Sequence, residues 1–148
     1  HHHNNFFNDT ATTDIYTTAK SSEASDVCKR QDYDSATGQQ RNERVFLDFT
    51  TLPGRPDGAC VDETGCYWIA CIGGSTVLRV TPDGEVDRTV EVPVLRPTMP
   101  AFGGPNLDTM FITSIGPRDP ATDGPGPHGA ILAFSPGVCG LPEPKFGG

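Results

Sequence analysis

From residue 32 onward the chain alternates short apolar runs with turn signals. Three runs combine β-branched, aromatic and small apolar side chains that favour strands, at residues 45–49, 66–71 and 76–80. A looser apolar pattern among charges at residues 86–92 indicates an outer, half-exposed strand. The Asp83-Gly84 dipeptide before it is typical of a hairpin turn. Because no stretch here shows the 3.6-residue apolar period of a helix, the pattern predicts an all-β domain.

Residues 55–70 contain the densest run of these signals. Asp57-Gly58 is a turn dipeptide that we interpret as leading into a strand at residues 59–61. Asp62-Glu63 then begins a second turn, interpreted as a solvated acidic turn and not as a catalytic pair, and an aromatic strand containing Trp68 follows it. We expect Trp68 to pack between neighbouring sheets.

This arrangement of strands and turns recurs further along the chain. Residues 109–113 correspond to residues 66–70 at a step of about 43 residues, with an insertion in the Pro/Gly/Asp-rich loop 116–128. Four short strands per repeat of this length are the signature of a propeller blade. The repeat predicts two blades and the outer end of a third, at residues 55–92, 97–146 and 32–49. A β-sandwich is the alternative, although a sandwich does not require the repeat.

Residues 1–31 differ in character from the rest. Their Ser, Thr, Asn and Asp content without periodicity favours a loop or a disordered tail. The sequence of residues 6–31 also resembles a translated sequencing-adapter read-through, in which case this segment is not a gene product. The expected organisation is therefore a non-native or disordered tail at 1–31 and a β-propeller part at 32–148, and no function is assigned to the tail.

Charge and composition narrow the possible partners. The 148-residue chain has 11 basic and 19 acidic residues, and the resulting formal charge of −8 argues against nucleic acid or an anionic membrane as partner. No apolar run approaches the roughly 18 residues of a membrane span, and no leader pattern is present. We expect a cytoplasmic protein, and nothing in the sequence implies an obligate protein partner.

The chain has five cysteines, Cys28, Cys60, Cys66, Cys71 and Cys139. Their spacing contains no C-x-x-C pair and no histidine lies close to the central three, which argues against a zinc site made from them. We expect reduced, mostly buried thiols that act as small apolar side chains.

The pattern around Asp57 carries a family resemblance. Residues 56–58, followed by 61–65 and 67–70, are similar to the gluconolactonase/regucalcin (senescence marker protein) family. The same resemblance is carried, in the family's order, by residues 32–34 with 37–38, 101–105 with 107–109, and 129–130 with 137–138. It implies the C-terminal half of a six-bladed propeller that hydrolyses sugar lactones. It also implies one divalent cation in the central channel, Ca²⁺ or Zn²⁺, with Mg²⁺ or Mn²⁺ as further options.

Within this resemblance Asp57 matches the family's metal-binding aspartate and proposed base, so we predict that it is both a metal ligand and catalytic. Lactone opening requires a polarised carbonyl and a nucleophilic water, which a cation and a nearby carboxylate together provide. A turn aspartate that bonds only its own backbone is the alternative. The family's other metal ligands, a glutamate and an asparagine, precede the region covered here, so this fragment alone is expected to be inactive. A non-catalytic propeller that binds calcium or a protein remains the alternative function.

The remaining candidates for chemistry are weaker. Ser114 and Ser135 lack the G-x-S-x-G pattern of a serine hydrolase. His128 lies in the long loop, where we expect an exposed side chain. Because a partial ring of blades leaves sheet faces and edges uncovered, the isolated chain is expected to aggregate or dimerise.

Overall fold

A computed structural model describes residues 27–34 and 36–142, which form antiparallel sheets with a single helical turn. This confirms the all-β prediction. The described residues divide into two compact units, with the boundary between residues 50 and 51. The strands are β1 Val27–Asp34, β2 Gln39–Asp48, β3 Arg55–Val61, β4 Tyr67–Ile72, β5 Thr76–Val80, β6 Val86–Glu91, β7 Pro97–Gly103, β8 Thr109–Ser114 and β9 Leu132–Phe134. No helix in the described part of the chain has the length and apolar character needed to cross a bilayer.

The first unit contains the hairpin β1–β2. Gly38 closes its turn with a φ of 70°, a conformation that glycine adopts without strain. Across the hairpin, Lys29 pairs with Glu43 at 2.6 Å and Arg44 pairs with Asp32 at 3.0 Å. Strand β1 begins at Val27, five residues before residue 32, where the propeller part was predicted to begin. Residues 27–31 of the predicted tail therefore lie in a strand. The rest of the predicted tail lies outside the described residues.

The second unit begins with a four-stranded meander in the order β3–β4–β5–β6. The predicted strand at 76–80 is β5 residue for residue, and the strand predicted at 66–71 is β4, shifted by one residue. Every residue of β5 is buried, including Arg79, because this strand lies in the interior of the sheet between β4 and β6. Strand β6 is mostly exposed, as predicted for an outer strand. The turn between them closes with the Gly84 N–H donating to the Thr81 carbonyl at 2.9 Å.

The second sheet of this unit has the order β7–β8–β9. Strand β9 spans only three residues. The loop between β8 and β9 contains the helical turn α1, Pro120–Asp123. Arg96 fixes this loop through two hydrogen bonds to the Asp123 carboxylate, at 2.6 and 2.8 Å. A third bond of 3.0 Å runs from Arg96 to the Gly116 carbonyl, so one arginine holds both ends of the insertion.

The core of the second unit lies between its two sheets. Trp68 is fully buried, and its ring meets Phe102 edge-on at a centroid distance of 6.3 Å and Phe134 at 6.4 Å. Both phenylalanines belong to the β7–β8–β9 sheet, so the prediction that Trp68 packs between neighbouring sheets is confirmed. Burial of apolar side chains of this size stabilises a fold by about 1.5–3 kcal/mol each. The buried side chains that surround Trp68 in this core are Val77, Val92, Val94, Met110 and Ile112.

The five cysteines are free thiols. Cys28, Cys66 and Cys71 are buried as expected, whereas Cys60 and Cys139 are only partly buried. Desolvation raises the pKa of the Cys60 thiol to about 12, and the nearby Asp62 carboxylate contributes to the same shift. The Cys60 thiol therefore remains protonated at neutral pH and packs as a small apolar group.

Candidate functional site

Asp57 lies inside strand β3, and this corrects the sequence-based interpretation, which placed it in a turn before the strand. Strand β3 pairs Pro56 with Cys71 and Ala59 with Ile69. Asp57 and Gly58 therefore share a single opposing residue, Ala70, which makes a β-bulge. A bulge bends its strand and changes the direction of a side chain, and bulges are frequent beside active sites. The local sequence reads as a turn because bulges and turns both use Asp and Gly.

Gly58 is required here for close approach and not for a positive φ. A Cβ at this position would come 2.6 Å from the Thr98 carbonyl oxygen and 3.0 Å from the Met99 Cα. Only glycine therefore allows the edge strand β7 of the second sheet to lie against β3. As a result, Asp57 sits where the edge strands of the two sheets meet.

The Asp57 carboxylate is exposed and accepts no hydrogen bond from any residue that the structure describes. Partial burial raises its pKa above the ordinary value of 3.8, with no opposing interaction. Other aspartates differ, since Asp34, Asp48 and Asp62 each accept a backbone N–H from two residues ahead, at 2.9 Å. The turn-forming role offered as an alternative thus fits those three residues and not Asp57, whose oxygens are available to a ligand.

Asp57 does not belong to a complete metal site within residues 27–34 and 36–142, where no cluster of three or more His, Cys, Asp or Glu side chains could hold an ion. Calcium takes six to eight oxygens, and a catalytic zinc takes about three protein ligands. The Asp57 carboxylate therefore fits the role of one ligand in a cation site and does not make a complete site. That the other ligands precede the region of resemblance stays a prediction.

The loop 116–128 lies at the same end of the sheets as Asp57. Strand β8 ends at Ser114 beside the start of β7, and the start of β7 is the part that contacts Gly58. The hydroxyl of Ser114 donates to the Ala130 carbonyl at 2.8 Å and accepts the Gly129 N–H at 3.0 Å. These bonds close the base of the loop, so Ser114 has a structural role.

His128 is half-buried and not exposed, which corrects the sequence-based expectation. Its Nδ1 accepts the Leu95 N–H at 3.4 Å, and its Nε2 lies 3.3 Å from the Gly124 carbonyl oxygen. The ring therefore joins the insertion to the segment that precedes β7. His128 therefore has a packing role at the end of the sheets where Asp57 lies.

Asp62 was interpreted as part of a solvated acidic turn, and the structure shows that this is wrong, because the residue is fully buried. Burial by itself would raise the pKa of this carboxylate. Its hydrogen bonds from Thr64, Arg79, Trp68 and Cys66 outweigh that effect and hold the pKa below its ordinary value. The side-chain donors are the Thr64 hydroxyl at 2.7 Å, Nε of Arg79 at 2.8 Å and the Trp68 indole N–H at 3.0 Å.

Arg79 completes this buried cluster and was missed by the sequence analysis. Its guanidinium also donates to Asp87 at 2.7 Å and to the Thr64 hydroxyl at 2.8 Å. An arginine in the middle of the apolar run 76–80 was the available signal, because a buried guanidinium requires a buried carboxylate. Asp62, the centre of this cluster, directly follows the end of β3, whereas Asp57 lies near the beginning of β3. It therefore supports the fold and lies away from Asp57.

A family model and individual relatives place similar sequences in the same protein family. The model of the SMP-30/Gluconolactonase/LRE-like region matches residues 5–116, beginning inside the predicted tail. A 6-deoxy-6-sulfogluconolactonase of Pseudomonas putida is 45% identical over 115 residues, which are 75% of this chain and 39% of that protein. Human regucalcin is 38% identical over 101 residues, 68% of this chain and 32% of that protein. The chain thus spans about two fifths or less of the length of these relatives.

Two solved structures resemble the chain closely. A luciferin-regenerating enzyme superposes with a TM-score of 0.70 at 30% identity, covering 79% of this chain and 40% of that one. A calcium-binding protein, regucalcin, from Agrobacterium tumefaciens gives a TM-score of 0.69 at 29% identity, covering 82% and 42%. These neighbours are propeller proteins, so the strands of this chain have the arrangement found in part of such a ring.

Proposed function

This chain belongs to the SMP-30/gluconolactonase/LRE-like family, and we propose that the complete protein to which it corresponds is a metal-dependent sugar-lactone hydrolase. Support comes from the sulfogluconolactonase relative at 45% identity. Because the chain spans only about two fifths of such relatives, the activity is proposed for the whole protein. We expect the 148-residue chain alone to be inactive.

The observation that carries this proposal is the Asp57 carboxylate, which lies at a bulge between two edge strands and is not engaged by its own backbone. A divalent cation held there would supply polarisation of the lactone carbonyl and acidification of water. Asp57 would bind the cation through one oxygen and accept the proton of the attacking water. That proton then goes to the ring oxygen as the acyl–oxygen bond breaks.

The architecture proposed for the complete protein is a six-bladed ring. In it β3–β6 form one blade, β7–β9 belong to a second, and β1–β2 are the outer end of a third. The remaining ligands of the cation would come from blades that this chain does not contain. The Agrobacterium relative, a regucalcin described as a calcium-binding protein, supports Ca²⁺ as the cation. Zn²⁺, Mg²⁺ and Mn²⁺ are the other candidate ions. We further propose a small-molecule sugar lactone as partner and a cytoplasmic location.

A second candidate is a propeller that binds calcium without catalysis, and the calcium-binding Agrobacterium regucalcin favours it. The two functions separate in one experiment on the complete protein. After chelation, opening of glucono-δ-lactone is followed in a pH-stat while Ca²⁺, Zn²⁺, Mg²⁺ and Mn²⁺ are added back one at a time, with calorimetry measuring binding of each ion. Turnover restored by a bound ion supports the lactonase, whereas binding of calcium with no turnover supports the alternative.

A further inference from the structure

The two sheets of the second unit meet at a junction of two β-bulges. The first bulge is at Asp57 and Gly58 in β3, and the second is at Thr98 in β7, between the residues that pair with Ser114 and Thr113. Each of these two strands is the terminal strand of its sheet. The Thr98 hydroxyl lies 2.7 Å from the Thr113 hydroxyl, which links the second bulge to β8. The junction therefore holds the backbone of β7 beside Asp57.

Met99 follows the second bulge, and its thioether lies against Gly58. A Cβ added to Gly58 would collide with Sδ of Met99 and come 3.0 Å from the Met99 Cα. Consecutive Cα atoms are about 3.8 Å apart and side-chain contacts extend to about 4 Å, so Sδ lies within roughly 8 Å of the Asp57 Cα. Because both strands belong to this chain, the contact does not depend on any further sheet of the complete protein.

The chain has two methionines, and they lie in different surroundings. Met110 is fully buried in the core around Trp68, where a methionine fills space. Met99 is 45% exposed and contacts the backbone of the residue that follows the candidate metal ligand. In the proposed ring, β3 and β7 are the innermost strands of neighbouring blades, so Met99 and Asp57 lie on the same wall of the channel. The position of Met99 therefore suits contact with a molecule bound at Asp57.

We propose that Met99 binds the lactone, with its thioether packed against the C–H face of the sugar ring. This inference rests on the lactonase function proposed above. Small-molecule sites combine a few polar groups that fix orientation with apolar walls that contribute contact area. The cation and Asp57 supply the polar part of this site, and Met99 supplies the apolar wall beside it. An unbranched, polarizable thioether adapts to the irregular surface of a sugar ring.

Steady-state kinetics of the complete protein test this role. Met99→Gln keeps the length of the side chain and makes its end polar, so we expect KM for glucono-δ-lactone to rise about tenfold. We expect kcat to stay within about twofold, because the contact is made equally in the ground state and in the transition state. Met99→Leu keeps an apolar wall and should retain most of the affinity. Val86→Gln is the matched control, since Val86 is 39% exposed on β6, the strand of its sheet farthest from β3, and KM should then equal that of the wild type.

A binding measurement separates this proposal from the proposed lactonase function. The probe is 1,5-anhydroglucitol, in which a CH₂ group replaces the lactone carbonyl, so it cannot be hydrolysed. The Ca²⁺-loaded complete protein is labelled with carbon-13 at its methionine methyl groups. In its NMR spectrum the Met99 signal should shift as the probe is added, while the Met110 signal stays in place. Met99→Leu and Met110→Leu assign the two signals.

The kinetic and NMR results distinguish the two claims. A wild-type protein without turnover would refute the lactonase function, and the NMR signal of Met99 would then decide the Met99 proposal by itself. A Met99 signal that does not move at about 10 mM probe, about ten times the usual upper range of KM, would overturn the proposal. So would an unchanged KM in folded Met99→Gln, because a side chain that only packs against Gly58 affects the free energy of unfolding and not KM.

Discussion

Nε of Arg79 donates to Oδ2 of Asp62 across 2.8 Å inside the four-stranded sheet, although the two residues lie 17 positions apart in the sequence. Strand register brings them together, since Asp62 directly follows β3 and Arg79 lies on β5, with Trp68 on the strand between. The carboxylate is fully buried and the arginine side chain is only 10% exposed. Each charge therefore depends on the other for its solvation.

Replacing Asp62 with alanine should strongly destabilise the chain. The variant leaves Nε of Arg79 and the Trp68 indole N–H buried without their acceptor, and breaking a buried pair in this way typically costs about 3–5 kcal/mol. Urea unfolding followed by Trp68 fluorescence measures the loss. Asp83→Ala is the matched control, because Asp83 is an exposed turn residue, and it should change the free energy of unfolding by less than about 0.5 kcal/mol. A loss below about 1 kcal/mol for Asp62→Ala would contradict the account of this cluster.

The same carboxylate should contribute to acid sensitivity. The pKa of Asp62 is lower in the folded chain than its ordinary value of 3.8, so its ionised form stabilises the fold. That contribution is complete above the ordinary value and is lost as the pH falls through the folded pKa. The stability difference between wild type and Asp62→Asn should therefore be constant above about pH 5 and shrink below about pH 4. Urea midpoints at a series of pH values measure it, and a difference that stays constant down to the lowest pH would refute the assignment.

Gly58→Ala tests the close contact of β3 with β7. The new methyl group would meet the backbone of Thr98 and Met99, which cannot rotate away, so we expect a loss of about 1–3 kcal/mol. Gly116→Ala is the matched control, because a Cβ at Gly116 meets nothing within 4 Å and the residue does not have a positive φ. Both variants are compared by thermal and urea unfolding. Equal stability of the two would show that the strands do not approach each other as described.

The thiol of Cys60 should be slow to react despite its partial exposure. Its pKa is raised to about 12 by desolvation and by the Asp62 charge, so little reactive thiolate exists at about pH 8. Alkylation with N-ethylmaleimide, followed by site-resolved mass spectrometry, should label Cys60 more than about a hundredfold more slowly than free cysteine. In denaturant all five cysteines should react at similar rates. Rapid labelling of Cys60 in the folded chain would contradict the raised pKa.

The sequence predicts a strand well where the signal lies within the strand itself. It does not predict the conformation or burial of a residue that depends on contacts with residues distant in the chain. Strand β5 was predicted to the residue because four of its five positions are apolar or β-branched and the strand lies between clear turns. The Asp57-Gly58 dipeptide was misread as a turn because Gly58 is required by Thr98 and Met99, which are about 40 residues away. The burial of Asp62 was missed for the same reason, since its partner Arg79 is brought close only by strand register.

The candidate site was predicted in part. Asp57 was singled out by a family resemblance and not by any local pattern, because an Asp-Gly pair by itself indicates only a turn. The sequence does not predict the β-bulge that changes the direction of the Asp57 side chain and leaves its carboxylate without a backbone hydrogen-bond partner. Both properties depend on the pairing of β3 with β4 and on the contact with β7, which local sequence does not encode.

The central claim is that Asp57 binds the cation and takes the proton in lactone hydrolysis. It is tested most directly by kcat/KM for cation-dependent opening of glucono-δ-lactone by the complete protein and its Asp57→Ala, Asp57→Asn and Asp83→Ala variants. Circular dichroism confirms that each variant is folded. We predict that both Asp57 variants lose a factor of about 10²–10⁴ or more and bind the cation more weakly, and that Asp83→Ala keeps its activity within about twofold. Unchanged turnover in folded Asp57→Ala would contradict the claim.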